Sequence, residues 1–263
     1  MKLNIVPART GATWVRSGLQ TFTKRPLAFA SLFFFFMAMV SIASQLPLVG
    51  TALALMLLPT MTLGLMAASA EAAKAGPGQK PPAAAVLLAA LTAARSGIRP
   101  MLVLGALYAV LFLLVMGVSA LADGGQFARV YLMGETVSRE MAESGSFQAA
   151  LWIAMALYLP LSLAFWHAPA LVHWHGVPPT KSLFFSFIAC FRNFGAMFVF
   201  GLTWIGVFIG SGIVLSLVAT LFAALVGGGA AAAGGALMVG GALVMASMFF
   251  TSTWFTFRDS FID

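Results

Sequence analysis

All three histidines of this 263-residue chain fall within nine residues, in Trp166-His167 and His173-Trp174-His175. Imidazoles so concentrated are donors for a metal site or, more weakly, for haem iron. On a helix, however, His173 and His175 project about 200° apart. No carboxylate or cysteine lies nearby in sequence to complete a ligand set. Trp and His also settle at a membrane–water boundary, where an apolar body and a polar tip are both accommodated. An amphipathic belt is therefore the expectation here, with no metal and no cofactor.

Other chemistry is sparse. No His-Glu-x-x-His run and no Gly-Lys-Ser/Thr phosphate loop occurs, and Cys190 is the single cysteine, which excludes a disulfide framework. Ion coupling inside a membrane needs buried Asp, Glu or His partners, and His167 alone falls at that depth. The chain is expected not to be an enzyme. Arg95, Arg99, Lys181 and Arg192 are candidates for holding anionic lipid headgroups, against the alternative of simple snorkelling. Glycines crowd the last third: Gly206-x3-Gly210, Gly212, Gly227 to Gly229, Gly234, Gly235, Gly240 and Gly241. They permit close helix packing or, as the alternative, a discontinuous helix with a solute site. Trp166, His167, Gly206 and Gly210 make a candidate pocket on that second reading.

The elements that must position these residues follow from composition. The chain is 61% apolar and 8% charged, with a mean hydropathy of +1.00. So little charge cannot keep a soluble domain in water, and so much apolar surface cannot stay unfolded. Six stretches reach the roughly 20 apolar residues needed to span a bilayer: 27–45, 48–70, 101–122, 148–171, 196–226 and 230–256. None holds Asp, Glu, Lys or Arg. Amphipathic helices lying in the membrane interface are expected at 8–24, 82–95, 125–143 and 179–192. The fold class read from this pattern is an all-α membrane protein of one domain, its six transmembrane helices arranged as three hairpins.

The net charge of +7 is segregated. Basic residues gather before the first span (Lys2, Arg9, Arg16, Lys24, Arg25), after the second (Lys74, Lys80, Arg95, Arg99), after the fourth (Lys181, Arg192) and in the tail (Arg258). The opposite side has only Arg129 and Arg139, among Asp123, Glu135, Glu140 and Glu143, while its other connections, Ser44-Gln45-Leu46-Pro47 and Gly227-Gly228-Gly229, are uncharged. The positive-inside rule then puts both termini in the cytoplasm. Basic runs interleaved with base-stacking aromatics are missing, so no nucleic-acid partner is expected. Ser41-Ile42-Ala43 resembles a cleavage site, but the basic region before it is too long for a signal peptide, and an uncleaved anchor is expected.

Two cytoplasmic connections resemble each other. Pro81-Pro82 precedes twelve residues ending before Arg95-Ser96-Gly97, and Pro178-Pro179 precedes twelve ending before Arg192-Asn193-Phe194. Leu58-Pro59 and Leu159-Pro160 match upstream, and Trp14, Gly18 and Phe22 before Pro26 offer a weaker third copy. Each unit reads as an amphipathic helix, a basic punctuation and a hairpin. In the outer loop, Phe127, Val130, Tyr131, Val137 and Met141 share one helical face, with Glu135 and Arg139 as an i,i+4 pair on the other.

Trp14-x3-Gly18-x3-Phe22-x3-Pro26, Ala168-Pro169-Ala170-Leu171 and the run from Pro178 to Arg192-Asn193 resemble the signature of an uncharacterised proteobacterial family of six-span inner-membrane proteins. More distantly the chain is similar to the membrane domain found beside glycerophosphodiester phosphodiesterases, without the phosphodiesterase's soluble barrel. The resemblance implies a six-helix scaffold in a bacterial inner membrane and carries over no catalytic residue. The functional expectation is a non-enzymatic accessory or lipid-associated scaffold subunit, with membrane lipids and a subunit of a membrane complex as partners. The alternative is an uncoupled transporter or channel for an apolar or amphipathic solute.

Overall fold

Uncharged runs of Leu, Phe, Met, Ala and Val are hydrophobic all round, and in lipid their backbone must satisfy its own hydrogen bonds, which a helix does. The computed structural model describes every residue except 48, 77, 227–229 and 263, together with the side chains of all of these but 223, 226 and 230–233. The elements in chain order are strand β1 (Lys2–Leu3), then helices α1 (Thr10–Lys24), α2 (Pro26–Ser44), α3 (Gly50–Lys74), α4 (Ala83–Ser96), α5 (Ile98–Asp123), α6 (Gln126–Met133) and α7 (Arg139–Glu143). There follow α8 (Gly145–Trp166), α9 (Ala168–His175), α10 (Pro179–Arg192), α11 (Phe194–Val226), α12 (Ala230–Ser260) and strand β2 (Phe261–Ile262). The expected Gly227–Gly229 connection and the first residue of the expected 48–70 span lie outside the described residues.

Six helical stretches are long and apolar enough to cross a membrane: α2, α3, α5, the α8–α9 pair, α11 and α12. Their outward surfaces are apolar as well; Leu27, Leu121 and Leu225 are 84%, 87% and 85% exposed. Such a surface aggregates in water and is at home among acyl chains. The protein is an all-α membrane protein.

The described residues form two compact units. The first comprises Met1–Met37, Thr62–Ser96 and Arg192–Asp263. In it α1 lies along both α11 and α12. The four-residue spacing of Trp14, Gly18 and Phe22 puts all three on one helical face, and that face is buried. Two glycines let the backbones touch: a Cβ on Gly11 would sit 2.2 Å from the Ala196 carbonyl oxygen, and one on Gly18 would sit 2.4 Å from the Ser252 Cβ. The Trp14 ring meets Phe200 edge to face, and its indole N–H donates to Asp259 Oδ2 at 2.9 Å. The chain ends are knitted together, β1 pairing antiparallel with β2. Buried Asn193 donates to the Asn4 carbonyl and to Ser260 Oγ, and accepts from the Val6 N–H. The two termini therefore lie on the same side of any membrane the chain spans.

The second unit comprises Ala38–Met61 and Gly97–Phe191. Here α5 and α8 pack along their lengths, and Gly105 lets α5 approach the Met56 carbonyl of α3, 2.2 Å from where a Cβ would stand. All three tyrosines converge around Phe112, whose ring lies 5.9 Å from Tyr108, 5.7 Å from Tyr131 and 5.9 Å from Tyr158. Burial among these rings holds the Tyr131 phenol above its usual pKa.

A short helix precedes a hairpin three times, as α1, α4 and α10. Their buried positions correspond: Trp14, Gly18 and Thr21 in α1; Val86, Ala90 and Ala93 in α4; Ser182, Ser186 and Ala189 in α10. Between α4 and α10 the shift is 96 residues, from Ala83 to Pro179, one fewer than the double prolines suggest. Pro82 lies outside α4 whereas Pro179 is the first residue of α10, so the prolines mark different positions in the two copies.

Two expectations need correction. The outer loop is not one helix over 125–143. Gly134 ends α6 in the left-handed conformation at φ +72°, and Ser138 starts α7 by accepting the Met141 N–H. The Glu135–Arg139 pair accordingly does not form: Glu135 pairs with Arg129 at 3.5 Å and Arg139 with Glu143 at 2.7 Å. The stretch expected as one span over 148–171 is interrupted at His167, where α8 gives way to α9.

Candidate functional site: the break at His167 and the basic edges

Pro169 is the second residue of α9 and has no N–H to return to the Phe165 carbonyl, which leaves the ladder a bond short where α8 ends at Trp166. In an unbroken helix the His167 N–H would donate to the Leu163 carbonyl. The Ser186 hydroxyl stands between them instead. The His167 N–H donates to Ser186 Oγ at 2.9 Å, and Ser186 Oγ donates to the Leu163 carbonyl at 2.8 Å. One hydroxyl, acting as acceptor and donor together, restores a broken backbone bond from a neighbouring helix. One turn further along α10, Cys190 Sγ lies 3.7 Å from the same carbonyl and 3.8 Å from His167 Nδ1.

This cluster is sealed. His167 and Ser186 are wholly buried and Cys190 is 1% exposed. Burial pushes the Cys190 thiol up to about 12, against a smaller lowering by its hydrogen bond to Ser186. A thiol so far from thiolate is not a nucleophile. The arrangement is a polar clasp that joins α10 to the α8–α9 break. Sequence reasoning found His167 but not Ser186 or Cys190, which lie 19 and 23 residues away. The signal was present in α10: Ser182, Ser186 and Cys190 recur every fourth residue on an otherwise Phe-rich helix. His173 and His175 occupy the last turn of α9, and the His173 ring meets Trp174 edge to face at 4.9 Å. Among the described residues no three His, Cys, Asp or Glu side chains gather as metal ligands.

The four candidate headgroup residues are all exposed. Arg95 and Arg192 sit in the last turns of α4 and α10, where a cation complements the helix dipole. Arg99 opens α5 and Lys181 opens α10. None of the four has a carboxylate partner among the described residues. Arg95 and Arg192 belong to the first unit, and Arg99 and Lys181 to the second.

The candidate pocket divides. Gly206 and Gly210 line an apolar groove of about 570 Å³ between α11 and α12, with Val214, Leu215, Gly241 and Met245. Half-buried Trp166 and buried His167 belong to the other unit and do not line it. Helix α11 runs unbroken through Gly206 to Gly212, so the discontinuous helix allowed by its glycines is not formed. Close packing does not explain those glycines either. A Cβ on Gly206, Gly210 or Gly212 would meet nothing within 4 Å, whereas Gly241 does face the Leu215 side chain. The glycines whose added Cβ would press on backbone include Gly11, Gly18, Gly50 and Gly105, of which the sequence pattern singled out Gly18.

No family model matches the chain, and no solved structure matches it. A protein of Burkholderia thailandensis, named a probable inner membrane protein, is 37% identical over 264 residues, an alignment covering 99% of this chain and 94% of that protein. Such identity over nearly the whole length of both proteins, on a chain with six membrane-length apolar helices, places it in a family: the chain belongs to the family of that probable inner membrane protein.

Proposed function

We propose that the chain is a non-enzymatic, multi-pass protein of the bacterial inner membrane, serving as an accessory or lipid-associated scaffold subunit with both termini in the cytoplasm. The observation that carries this reading is the repeated short helix. Each of α1, α4 and α10 buries one face and carries a basic residue in its last turn, Lys24, Arg95 or Arg192, next to the start of a long apolar helix. That is the composition of a helix at the headgroup level of an anionic leaflet. Arg95, Arg99, Lys181 and Arg192 are the residues assigned to headgroups, and the more distant likeness to the phosphodiesterase-associated membrane domain is read as a likeness of scaffold alone. Native mass spectrometry from mild detergent tests the proposal: retained lipid or a stoichiometric partner supports it, and a bare monomer overturns it. Orientation is tested by reporter fusions in the loop at 123–147, which are expected to read periplasmic.

A second reading is favoured by one observation, the groove at Gly206 and Gly210. A cleft of about 570 Å³ lined almost wholly by apolar groups suits an uncoupled path for an apolar or amphipathic solute. Proteoliposomes loaded with an amphipathic dye would leak faster than empty ones on this reading, and Gly210→Leu would abolish the difference.

A further inference from the structure

A second cavity, of about 580 Å³, opens in the first unit where three long apolar helices end. Lys24 lies two residues before α2, Gln79 and Lys80 follow α3, and Phe255 and Arg258 are in the last turns of α12. Gln20 of α1 adds a polar side chain to the wall. Three cations thus face one space, and no carboxylate lines it. Of the nearest acids on these elements, Glu71 pairs with Lys74, whereas Asp259 accepts from Trp14 and pairs with the cleft's own Arg258 through Nε. A guanidinium has five donors, so the Asp259 pair orients Arg258 without exhausting it.

The walls are held in place. Lys24 Nζ donates to the Ala72 and Ala75 carbonyls at the end of α3, at 3.3 and 2.8 Å, and Arg25 Nε donates to the Pro81 carbonyl. These bonds tie the 75–81 connection to α1 from both sides. Arg258 also rests over the Phe255 ring, 4.9 Å from its centroid, giving the cleft a charged rim above an apolar floor. We propose that this cleft binds the phosphate of an anionic phosphate ester, with Lys24, Lys80 and Arg258 as its cations and Gln20 and Gln79 as hydrogen-bond donors. A site at the ends of three membrane-length helices meets such a phosphate at headgroup height. The inference rests on the lipid-associated reading above, adding to it a particular site none of whose cations is among the four exposed ones assigned there.

The full chain in mild detergent is titrated with phosphatidylglycerol, with phosphatidylcholine of the same acyl chains, and with glycerol phosphate, binding being read by native mass spectrometry. Phosphatidylglycerol is expected to bind at least about tenfold more tightly than phosphatidylcholine, and Lys80→Gln with Arg258→Gln removes most of that preference. Lys24 is left intact because it holds α3. Lys2→Gln with Arg9→Gln removes the same charge outside the cleft and is expected to keep the preference. Should the double variant fail to fold, Lys80→Gln alone, at an exposed side chain, is expected to weaken binding about fivefold. Competition by glycerol phosphate at equal concentration identifies the ligand as a free solute instead of a lipid. An unchanged preference in the cleft variants overturns this site while the lipid-associated reading stands on the other cations; a wild-type chain that binds neither lipid, solute nor partner overturns both.

Discussion

Gly18 and Ser186 stand at the same position of their short helices, yet they join those helices to the protein in opposite ways. Gly18 contributes nothing but the absence of a side chain, so that α1 can lie with its backbone against Ser252 of the unbroken helix α12. Ser186 contributes a hydroxyl that fills the gap in a helix broken at His167. Ala90, the third member, is wholly buried, and its carbonyl oxygen stands 3.6 Å from where a Cβ on Gly64 of α3 would lie. One architectural position therefore carries three kinds of contact, and the choice depends on the partner: an intact ladder accepts a close backbone, whereas an interrupted ladder needs a donor and an acceptor.

That contrast can be broken in stages. The largest effect is expected at Gly18→Leu, where the new side chain meets Ser252 backbone and has nowhere to go; a loss of about 4 kcal/mol or failure to fold is expected in detergent unfolding assays. Ser186→Ala comes next. It removes the acceptor of the buried His167 N–H and leaves the Leu163 carbonyl to the Cys190 thiol, at about 1–3 kcal/mol; a variant as stable as the parent would show that the hydroxyl is not what closes the break. The thiol in the same clasp gives a smaller, pH-dependent effect. The unfolded chain loses the Cys190 proton near 9 and the folded chain near 12. Stability from the protonated thiol is complete below pH 9 and declines as pH rises to 12, so the unfolding midpoint of the parent should fall more across that range than that of Cys190→Ala. The smallest effect belongs to Gly210→Ala, where the added methyl meets nothing within 4 Å. A change within about 0.5 kcal/mol is expected in the same assay; a loss matching Gly18→Leu would erase the distinction between glycines that touch and glycines that do not.

The long helices were legible because their cause is local: a membrane span needs a run of apolar residues, and each run is contiguous in sequence. The Trp14, Gly18, Phe22 face was legible for a similar reason, since helical spacing alone aligns it. The clasp was not, because its parts belong to three elements and come together only through the break that Pro169 imposes. Pro169 was visible as a residue, but the gap between the His167 N–H and the Leu163 carbonyl was not. Gly134 carried a readable signal, a glycine directly after an apolar helical turn, and the apolar periodicity of the loop outweighed it wrongly. The glycines of α11 failed for a different reason. In lipid a glycine on an outward face costs no exposed polar surface, so its presence does not report a neighbour.

The pairing of β1 with β2 and the seating of α1 on α11 and α12 join residues made early to residues made much later; the Trp14–Asp259 bond spans 245 positions. At about 5–20 residues per second, α1 waits roughly 10–50 s after synthesis before its partners exist. For that interval a Trp-bearing helix with an open glycine face stands unaccompanied beside a growing membrane protein. A chain cut short anywhere before α11 keeps that face bare for its whole lifetime. Folding of α11 and α12 onto α1 is thus written into the molecule as a surface that vanishes.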